Sequence, residues 1–413
     1  MMKLFVGIDV SSKKLEVSML TSDISAKPLF QGTFENDLNG ATEVKKLILK
    51  LNLSQQFEKI VIGMEATSIY SFHPAYFFEN DDDLAQFNTQ TVIINPRDTK
   101  KYKDIFEIQK NDSIDAYYIA DFLRLERYST SLVRQEKYVA LQRLTRSRFE
   151  LVKSLSRSKQ HFLEDLYYKL NKLVVNDDLN TSVFGATMLD LLTEDFTTDD
   201  ISVMPIEELA DYLNSKGKGR FANPSALAKT IQKAIRGSYR LDKTIQTSID
   251  VVLSVYLNEI RLFQKQIKLL EKSIDDLLKT FDEAQILQSI PGIGPVYSAG
   301  ILAEIGQIKR FENQSQLAKY AGLAWKKYQS GSFNGDNTPM IHSGDTYLRY
   351  YLIEAANSVR RYDPVFARYY HQKTNEAKLS PHKRAVSLTA RKLVRVIDVL
   401  LRNHQIYQKE KVV

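Results

Sequence analysis

Four acidic residues in the first third of the chain have the types and spacing of a site for divalent cations. Asp9 ends a short apolar run, and Glu65 ends a second one. Asp112 and Asp115 stand three positions apart at the start of an apolar-periodic segment, a spacing that puts both on one helical face. Carboxylates that meet repel one another unless a cation lies among them. Oxygen ligands of this kind hold Mg²⁺, and two such ions can stabilise the attacking and leaving oxygens of a phosphodiester.

Each of these residues also has an ordinary structural explanation. Asp is favoured at helix starts by the backbone N–H groups and the helix dipole, so Asp112 and Asp115 alone fit a capped helix. Asp9 alone fits a turn, and Glu65 alone fits the exposed end of a strand. The ordered set of four is harder to explain in this way. We therefore predict a site for Mg²⁺, with two ions and with Mn²⁺ as a substitute.

The elements that must position these residues alternate between strands and helices. Apolar runs and alternation predict strands at 4–10, 15–20, 29–34, 59–67 and 91–96, and helices at 37–51 and 68–80 and around Asp112. Three leading antiparallel strands, followed by helices and strands in turn, form the element order of the ribonuclease-H-like fold. In that fold the helix that carries Asp112 and Asp115 packs beside the strand ends that carry Asp9 and Glu65.

Two long helical arms follow, with a small helical insertion at 176–238 between them. Apolar residues at three- and four-residue spacing from about Tyr138 to Leu166, and again from Ile249 to Leu277, predict heptad seams. The arms would pack as an antiparallel coiled coil or between subunits. The first arm carries basic residues on its outer faces, which fit either a solvated helix face or contact with RNA or DNA: Arg143, Arg146, Arg148, Lys153, Arg157 and Lys159.

The C-terminal third is basic. From Pro291 to the end, Lys and Arg number 19 and Asp and Glu number nine, whereas the whole chain has a net charge of +7. This charge indicates a polyanionic partner, most often nucleic acid, although an ordinary basic surface has the same composition. The segment "IPGIGPVYSAG" has the pattern of a helix-hairpin-helix, in which Gly292 and Gly294 let backbone N–H groups approach a phosphate. A tight turn with close helix packing is the alternative.

Ser330 stands in "KKYQSGS", after two lysines and before a glycine. A serine needs an activating group before it can act as a nucleophile. No His–Asp relay is evident near it, and His342 is the closest histidine in the sequence. The residue types alone therefore favour an ordinary loop serine.

Composition excludes several other chemistries. The chain has no cysteine, which excludes disulfides, thiolate metal sites and cysteine nucleophiles and fits a reducing compartment. No run of about 18 apolar residues exists, and no charged–apolar–small signal segment opens the chain. We expect a cytoplasmic protein that has no membrane partner.

Seven segments together resemble one family of transposases: "GIDVSSKKLEV", "GMEATSIY", "VIINPRDTKKY", "KNDSIDA", "IPGIG", "AKYAGLAWKKYQSGS" and "GDTYLRYYLIEAA". In this order they resemble the DEDD transposases of insertion sequences that are known as bridge-RNA-guided serine recombinases. The resemblance covers nearly the whole chain. It implies an α/β plus α architecture: a RuvC-like domain at 1–133, coiled-coil arms with the insertion at 134–284, and a mostly helical transposase domain at 285–413.

The resemblance also implies roles for single residues. The four acidic residues match the family's metal-binding positions, and Lys110 and Ala116 complete the local motif. Ser330 matches the nucleophilic serine, which attacks DNA and forms a phosphoserine link. Besides Gly292 and Gly294, contacts to nucleic acid are expected from Lys110, Lys326, Lys327 and Arg349.

Partners follow from the same resemblance. They are donor and target DNA, together with a structured noncoding guide RNA whose base pairing selects the sequence. The protein would act as a homo-oligomer, a dimer or a tetramer, in which the serine of one subunit meets the acidic site of another. We expect this action at the nucleoid of a prokaryotic cell.

Three other functions compete with this interpretation. A sugar kinase with an actin-like core would need a second phosphate loop and a glycine-rich adenosine site, and we see neither. A junction resolvase or ribonuclease would need only the four carboxylates, and Ser330 would have no role. A non-catalytic DNA-binding protein would use neither site.

Overall fold

A computed structural model describes most of the 413-residue chain. The described backbone comprises residues 2–66, 69–106, 112–126, 131–325, 329–330, 333–334, 340–341 and 343–408. For some of these the backbone alone is described, namely for residues 112, 113, 131, 132, 329, 330, 333 and 334.

The first part of the chain alternates between strands and helices, as the sequence predicted. Its elements are β1 (Lys3–Val10), β2 (Lys14–Thr21), β3 (Phe30–Glu35), α1 (Leu38–Gln55), β4 (Lys59–Glu65), α2 (Phe72–Glu79), α3 (Asp82–Ala85), β5 (Thr89–Ile94), α4 (Pro96–Lys103), α5 (Asp112–Arg124) and β6 (Ser131–Leu132). The predicted strands and helices are present with their ends shifted by a few residues. Among the described elements, the sequence patterns missed the short α3, α4 and β6 and a 3-10 turn at Asp104–Phe106.

Within the described residues, the six strands β1 to β6 form one mixed sheet in the order β3-β2-β1-β4-β5-β6. Strands β1, β4 and β5 pair in parallel, whereas β2, β3 and β6 are joined by antiparallel pairs. Parallel neighbours need a crossover connection, and α1 is the crossover between the antiparallel strands and β4. The predicted α/β sheet is therefore confirmed, and its strand order is the one expected of the ribonuclease-H-like fold.

The two faces of the sheet have separate hydrophobic cores, because side chains alternate along a strand. Even-numbered residues of β1 and β4, such as Val6 and Ile62, pack with α1 and α2. Odd-numbered residues, such as Phe5 and Val61, pack with Ile119 and its neighbours on α5. Thus α5 covers one face of the central strands almost alone.

Helix α5 approaches β1 at a point where the strand has no side chain. A Cβ added to Gly7 would overlap the carbonyl oxygen of Ala116 and the backbone nitrogen of Ala120. On the neighbouring strand, a Cβ at Gly63 would overlap the side chain of Leu123. Two glycines therefore let the helix lie directly on the sheet.

An ion pair at the amino end of β1 shows in which direction α5 runs. Lys3, at the start of β1, pairs with Glu126, just beyond the end of α5, at 2.7 Å. The helix therefore runs antiparallel to β1, and its first turn lies at the carboxyl end of that strand.

The central part of the chain is helical. It comprises α6 (Glu136–Val174), α7 (Ala186–Asp190), α8 (Thr198–Val203), α9 (Ile206–Lys216), α10 (Pro224–Arg236) and α11 (Lys243–Leu278). Arg148 of α6 pairs with Glu271 of α11 at 2.7 Å, and Lys169 pairs with Asp250 at 2.7 Å. The residue numbers of these partners rise along α6 and fall along α11, so the two helices run antiparallel. Their assignment as a coiled coil stays a prediction.

The insertion between the arms packs on their distal ends. Buried residues of α6, such as Phe162 and Leu166, share a core with Leu253 and Leu257 of α11 and with the four short helices α7 to α10. The backbone of α6 leaves helical geometry at Leu170, within this core. The insertion therefore completes a hydrophobic core that the ends of the two arms share.

The C-terminal part is also mostly helical. It comprises α12 (Asp282–Gln288), α13 (Pro295–Ile305), α14 (Gln314–Tyr320), β7 (Gln329–Ser330), β8 (Phe333–Asn334), α15 (Thr346–Tyr362), α16 (Pro364–Asn375) and α17 (Pro381–Asn403). Helix α15 packs against α13, α16 and α17. A Cβ at Gly300 of α13 would overlap the ring of Tyr351, which is fully buried. The mostly helical remainder predicted from the sequence is confirmed, whereas the helix-hairpin-helix assignment stays a prediction.

By their internal contacts the residues form two compact units. One unit contains 1–139 and 283–413, and the other contains 140–282. The three domains predicted from the sequence stay a prediction. In the part of the chain that the structure describes, no helix is both long enough and apolar enough to cross a membrane.

Replacing Gly7 with alanine should push α5 away from the sheet. The added methyl group would overlap backbone atoms that no side-chain rotation can move. We expect a loss of about 1–3 kcal/mol in the free energy of unfolding, measured by urea denaturation.

Gly294→Ala is the matched control, because a Cβ there meets nothing within 4 Å. It should cost less than about 1 kcal/mol, chiefly through the poorer helix cap. Equal losses in the two variants would show that α5 does not depend on the missing side chain.

Candidate functional site

Asp9 and Glu65 lie side by side at the carboxyl edge of the parallel strands. The register pairs Ile8 of β1 with Met64 of β4, which puts the next residue of each strand at the same level. Both acids stand two positions beyond the glycines that touch α5, so both project toward that helix. Both are half-buried. The sheet therefore brings together two of the four predicted acids.

Asp115 reaches the same edge from the first turn of α5. Its Oδ1 lies 2.9 Å from the ammonium nitrogen of Lys103, and Oε1 of Glu65 lies 3.2 Å from the same nitrogen. The two carboxylates thus share one cationic side chain. Asp112 begins α5, three residues earlier, but its side chain lies outside the described residues.

Helix α4 delivers Lys103 to this edge. The helix begins directly after β5, where the side chain of Asn95 accepts a hydrogen bond from the backbone of Arg97 and Pro96 occupies the first turn. Both residues are typical of a helix start. Thr99 is buried, and the ion pairs of Lys103 with Glu65 and Asp115 place the last turn of this short helix at the sheet edge.

At this edge the positive charge of Lys103 compensates the negative charges of Glu65 and Asp115. Burial by itself lowers the pKa of Lys103, but the hydrogen bond to Asp115 and the charge of Glu65 outweigh it and raise that pKa above its ordinary value. The lysine therefore stays charged at neutral pH. Its ammonium occupies a position that attracts a cation.

The chemistry of these side chains fits Mg²⁺ or Mn²⁺. Both ions prefer carboxylate oxygens, and Asp9, Glu65 and Asp115 present such oxygens at one edge. Among the described side chains, no group of three His, Asp or Glu residues already has the spacing of a metal site. The Lys103 ammonium, which two of the acids hold, supplies the positive charge that a divalent ion would bring. Asp112 would complete the predicted set of ligands.

Ser330 lies in a short hairpin whose base is closed by backbone pairing. Ser330 in β7 pairs with Phe333 in β8, and an isolated bridge joins Trp325 to Met340 on either side of the hairpin. The side chain of Ser330 lies outside the described residues. Its role as a nucleophile therefore stays a prediction.

Ser330 lies in the segment from Tyr320 to Asp345, which we call the serine segment. A polar network joins the two ends of this segment to Arg134, which follows β6 in the chain. The guanidinium of Arg134 donates to the Tyr320 hydroxyl at 3.0 Å and to the Glu304 carbonyl at 2.9 Å. The Tyr320 hydroxyl in turn donates to Asp345 at 3.3 Å, and the Asp345 backbone N–H donates to the Tyr320 carbonyl at 2.7 Å. Tyr320 and Asp345 flank the segment that carries the serine, so Arg134 fixes its base within one compact unit.

The network is buried enough to change proton affinities. Burial raises the pKa of Tyr320, so its hydroxyl stays neutral and can donate to Asp345. Burial and the charge of Arg134 lower the pKa of Arg310, which lies against the Tyr320 ring, to about 10. Two arginines thus share this region with Glu304, whose side chain is fully buried.

The two glycines of the predicted phosphate-binding turn have different surroundings. Gly292 has a φ of +97°, and a Cβ there would lie 3.0 Å from backbone atoms of Val359 on α15. This contact is the close helix packing that we gave as the alternative. Gly294 precedes α13 and faces open space, so a phosphate could approach it. Phosphate binding by the turn stays a prediction.

The other residues expected to contact nucleic acid are only partly visible. Lys110, Lys326 and Lys327 lie outside the described residues. Arg349 lies on α15, half-buried, and its guanidinium touches the position where a Cβ of Gly322 would be. Arg349 thus packs at the base of the serine segment.

Two parts of the site were missed by sequence reasoning. Lys103 ends "PRDTKKYK", in which the Asn-Pro before it signals a helix start and the lysines signal a cationic helix. That pattern could have predicted α4 at the acidic edge. Arg134 and Tyr320 carry no local signal, because 186 positions separate them in the chain.

Removing the Tyr320 hydroxyl should weaken the base of the serine segment. In Tyr320→Phe, Arg134 loses an acceptor and Asp345 loses a donor, which should lower the free energy of unfolding by about 1–3 kcal/mol. Thermal and urea unfolding of the full chain measure this loss.

Tyr362→Phe is the matched control, because Tyr362 is 63% exposed. It should change the stability by less than about 0.5 kcal/mol. A Tyr320→Phe variant as stable as this control would show that the network does not hold the segment.

A family model described as a transposase with a DEDD domain of the IS110 type matches residues 6–167, which include all four acidic residues. A second model, described as the transposase of the IS116/IS110/IS902 family, matches residues 284–371, which include Ser330.

Individual relatives agree with these models. An uncharacterized 44.8 kDa protein of insertion element IS116 from Streptomyces clavuligerus is 27% identical over 307 residues, which cover 72% of each chain. An uncharacterized 42 kDa protein of IS900 from Mycobacterium paratuberculosis is 29% identical, over 72% of this chain and 73% of its own. A pilin gene-inverting protein from Moraxella bovis is 29% identical, over 41% of this chain and 53% of its own.

The two models together match more than half of the chain, and they match the acidic segment and the serine segment separately. The chain belongs to the IS110/IS116/IS902 family of DEDD transposases.

Proposed function

We propose that this protein is a transposase that cuts and rejoins DNA strands at the ends of an insertion sequence, with Ser330 as its nucleophile. The observation that carries the proposal is that Asp9 and Glu65 end neighbouring strands at one sheet edge, where Glu65 and Asp115 share Lys103, in a chain of this transposase family. Asp112 would be the fourth acidic ligand. RuvC-like nuclease or resolvase activity without serine chemistry is the alternative.

The reaction would be a phosphoryl transfer. The Ser330 hydroxyl loses its proton as its oxygen attacks a phosphorus atom of the DNA backbone. The bond from that phosphorus to one sugar oxygen breaks, and the released sugar oxygen takes up a proton, so no net proton is gained or lost. The product is a phosphoserine ester, which conserves the bond energy for rejoining. Mg²⁺ ions, when bound, would stabilise the charge that develops on the phosphoryl oxygens.

The acids and the supports of the serine would have distinct tasks. Asp9, Glu65, Asp112 and Asp115 would hold the ions. The network around Arg134 would keep the base of the serine segment in place, which matters because a misplaced nucleophile reacts slowly. The basic C-terminal third would bind the phosphate backbone, and its affinity would fall with salt.

Partners would be the two DNA ends, a structured guide RNA and further copies of the chain. The guide RNA would select the sequence by base pairing, as the resemblance implies. The pilin gene-inverting relatives fit the same chemistry, because inversion of a DNA segment also requires cutting and rejoining.

Covalent protein–DNA adducts test the chemistry directly. The protein is incubated with Mg²⁺, DNA that carries the element's ends, and RNA transcribed from the flanking noncoding sequence. Adducts should form with wild type, and should fall at least about 100-fold in Asp115→Asn, where a charged cation ligand is lost. They should be absent in Ser330→Ala.

Ser332→Ala is the matched control for the serine, because Ser332 lies two positions away in the same segment. It should retain adducts. DNA cleavage that persists in Ser330→Ala would support the resolvase alternative, and adducts that need no RNA would remove the guide from the proposal.

Mixing two inactive variants tests whether subunits share a site. If the serine of one subunit meets the acids of another, Asp115→Asn and Ser330→Ala should together recover adducts, because mixed oligomers contain one complete site. The double variant, at the same total concentration, is the control and should stay inactive. No recovery after the two proteins are refolded together would place both groups in one subunit.

A further inference from the structure

Lys103 is the part of the acidic edge that the proposed chemistry leaves without a task. Its ammonium lies 2.9 Å from Asp115 and 3.2 Å from Glu65. The exposed fractions of the three side chains are 22% for the lysine, 19% for Asp115 and 13% for Glu65. These ion pairs are better shielded from solvent than ordinary surface pairs, which contribute little.

Lys103 links its own helix to two other elements. The two ion pairs join α4 to β4 and to α5, which are three different elements. Lys101, on the same helix, is exposed, and in the described part of the chain no ion pair is found for it. One lysine of α4 is thus turned toward the acids, while its neighbour faces solvent.

A divalent cation and this ammonium compete for the same oxygens. An ammonium holds a carboxylate oxygen at about 2.8 Å, whereas Mg²⁺ requires about 2.1 Å and nearly octahedral geometry. An ion bound by both Glu65 and Asp115 would lie within a few ångströms of the lysine nitrogen. Positive charges at that separation repel strongly in a shielded site. Lys103 must therefore leave these oxygens when such an ion binds.

We propose that Lys103 is a built-in competitor of the divalent cations, which pairs with Glu65 and Asp115 until an ion displaces it. The inference rests on the proposed function, since it takes cation binding at this edge as given. Lys103 would keep the two carboxylates together at low cation concentration. It would also set the concentration at which the site fills.

Lysine labelling of the wild-type protein tests the displacement. An amine-reactive acetylating reagent is applied for a short time in EDTA or in Mn²⁺, at ionic strength matched with KCl, and the labelled positions are read by mass spectrometry. Lys103 should react slowly in EDTA and several-fold faster in Mn²⁺, whereas Lys101 should react equally in both. The proposal would be overturned if Lys103 reacted equally fast in EDTA and in Mn²⁺. The test uses the wild-type protein, so it does not depend on the folding of any variant.

Cation affinity tests the competition. In Lys103→Met, which keeps the length of the side chain without its charge, Mn²⁺ measured by calorimetry should bind on the order of fivefold to tenfold more tightly than in wild type. Lys101→Met removes the same charge from the exposed face of α4 and should leave the affinity unchanged. Equal affinities in the two variants, or weaker binding in Lys103→Met, would contradict the proposal.

Mn²⁺ binding by wild type and by Lys103→Met distinguishes the competitor role of Lys103 from the cation site itself. If wild type binds Mn²⁺ and Lys103→Met binds it no better, the competitor role alone is wrong. If no form of the protein binds Mn²⁺ at millimolar concentration, the cation site fails and the competitor role fails with it.

Discussion

Like charges brought to one place must be compensated, and this constraint shapes the acidic edge of the sheet. Asp9 and Glu65 stand at the same level on adjacent strands, and Asp115 joins them from the helix above. Carboxylates gathered at one edge repel one another unless a positive charge lies among them. In this protein Lys103 supplies one such charge. Carboxylate oxygens are also the ligands that divalent ions such as Mg²⁺ prefer.

The close contact between α5 and the sheet is what brings the acids into this relation. Because Gly7 has no side chain, the backbone of α5 lies directly on β1, and the first turn of the helix reaches the strand ends. A second constraint acts on the serine segment. Arg134 follows the sheet in the chain and binds Tyr320 at the base of that segment, so one compact unit holds both supports. Rigid elements of this kind position reactive groups better than mobile loops do.

The sequence predicts some of this arrangement well, and the physical reason is local. Asp9 and Glu65 follow apolar strands, and parallel strands end at the same edge whatever their side chains are, so their meeting could be predicted. The position of Lys103 was harder to predict, because it depends on the direction in which α4 leaves β5. That direction in turn depends on the cap at Asn95 and on the burial of Thr99. Ser330 has no local sign of activation, so only the resemblance to a family singles it out.

Anomalous diffraction from crystals grown with Mn²⁺ tests the central claim most directly, because it locates the ion without reference to activity. The account predicts a peak at the carboxyl edge of β1 and β4, about 2.2 Å from oxygens of Asp9, Glu65 and the acids of α5. A structure at saturating Mn²⁺ in which these carboxylates bind no ion, or point away from one another into solvent, would contradict it.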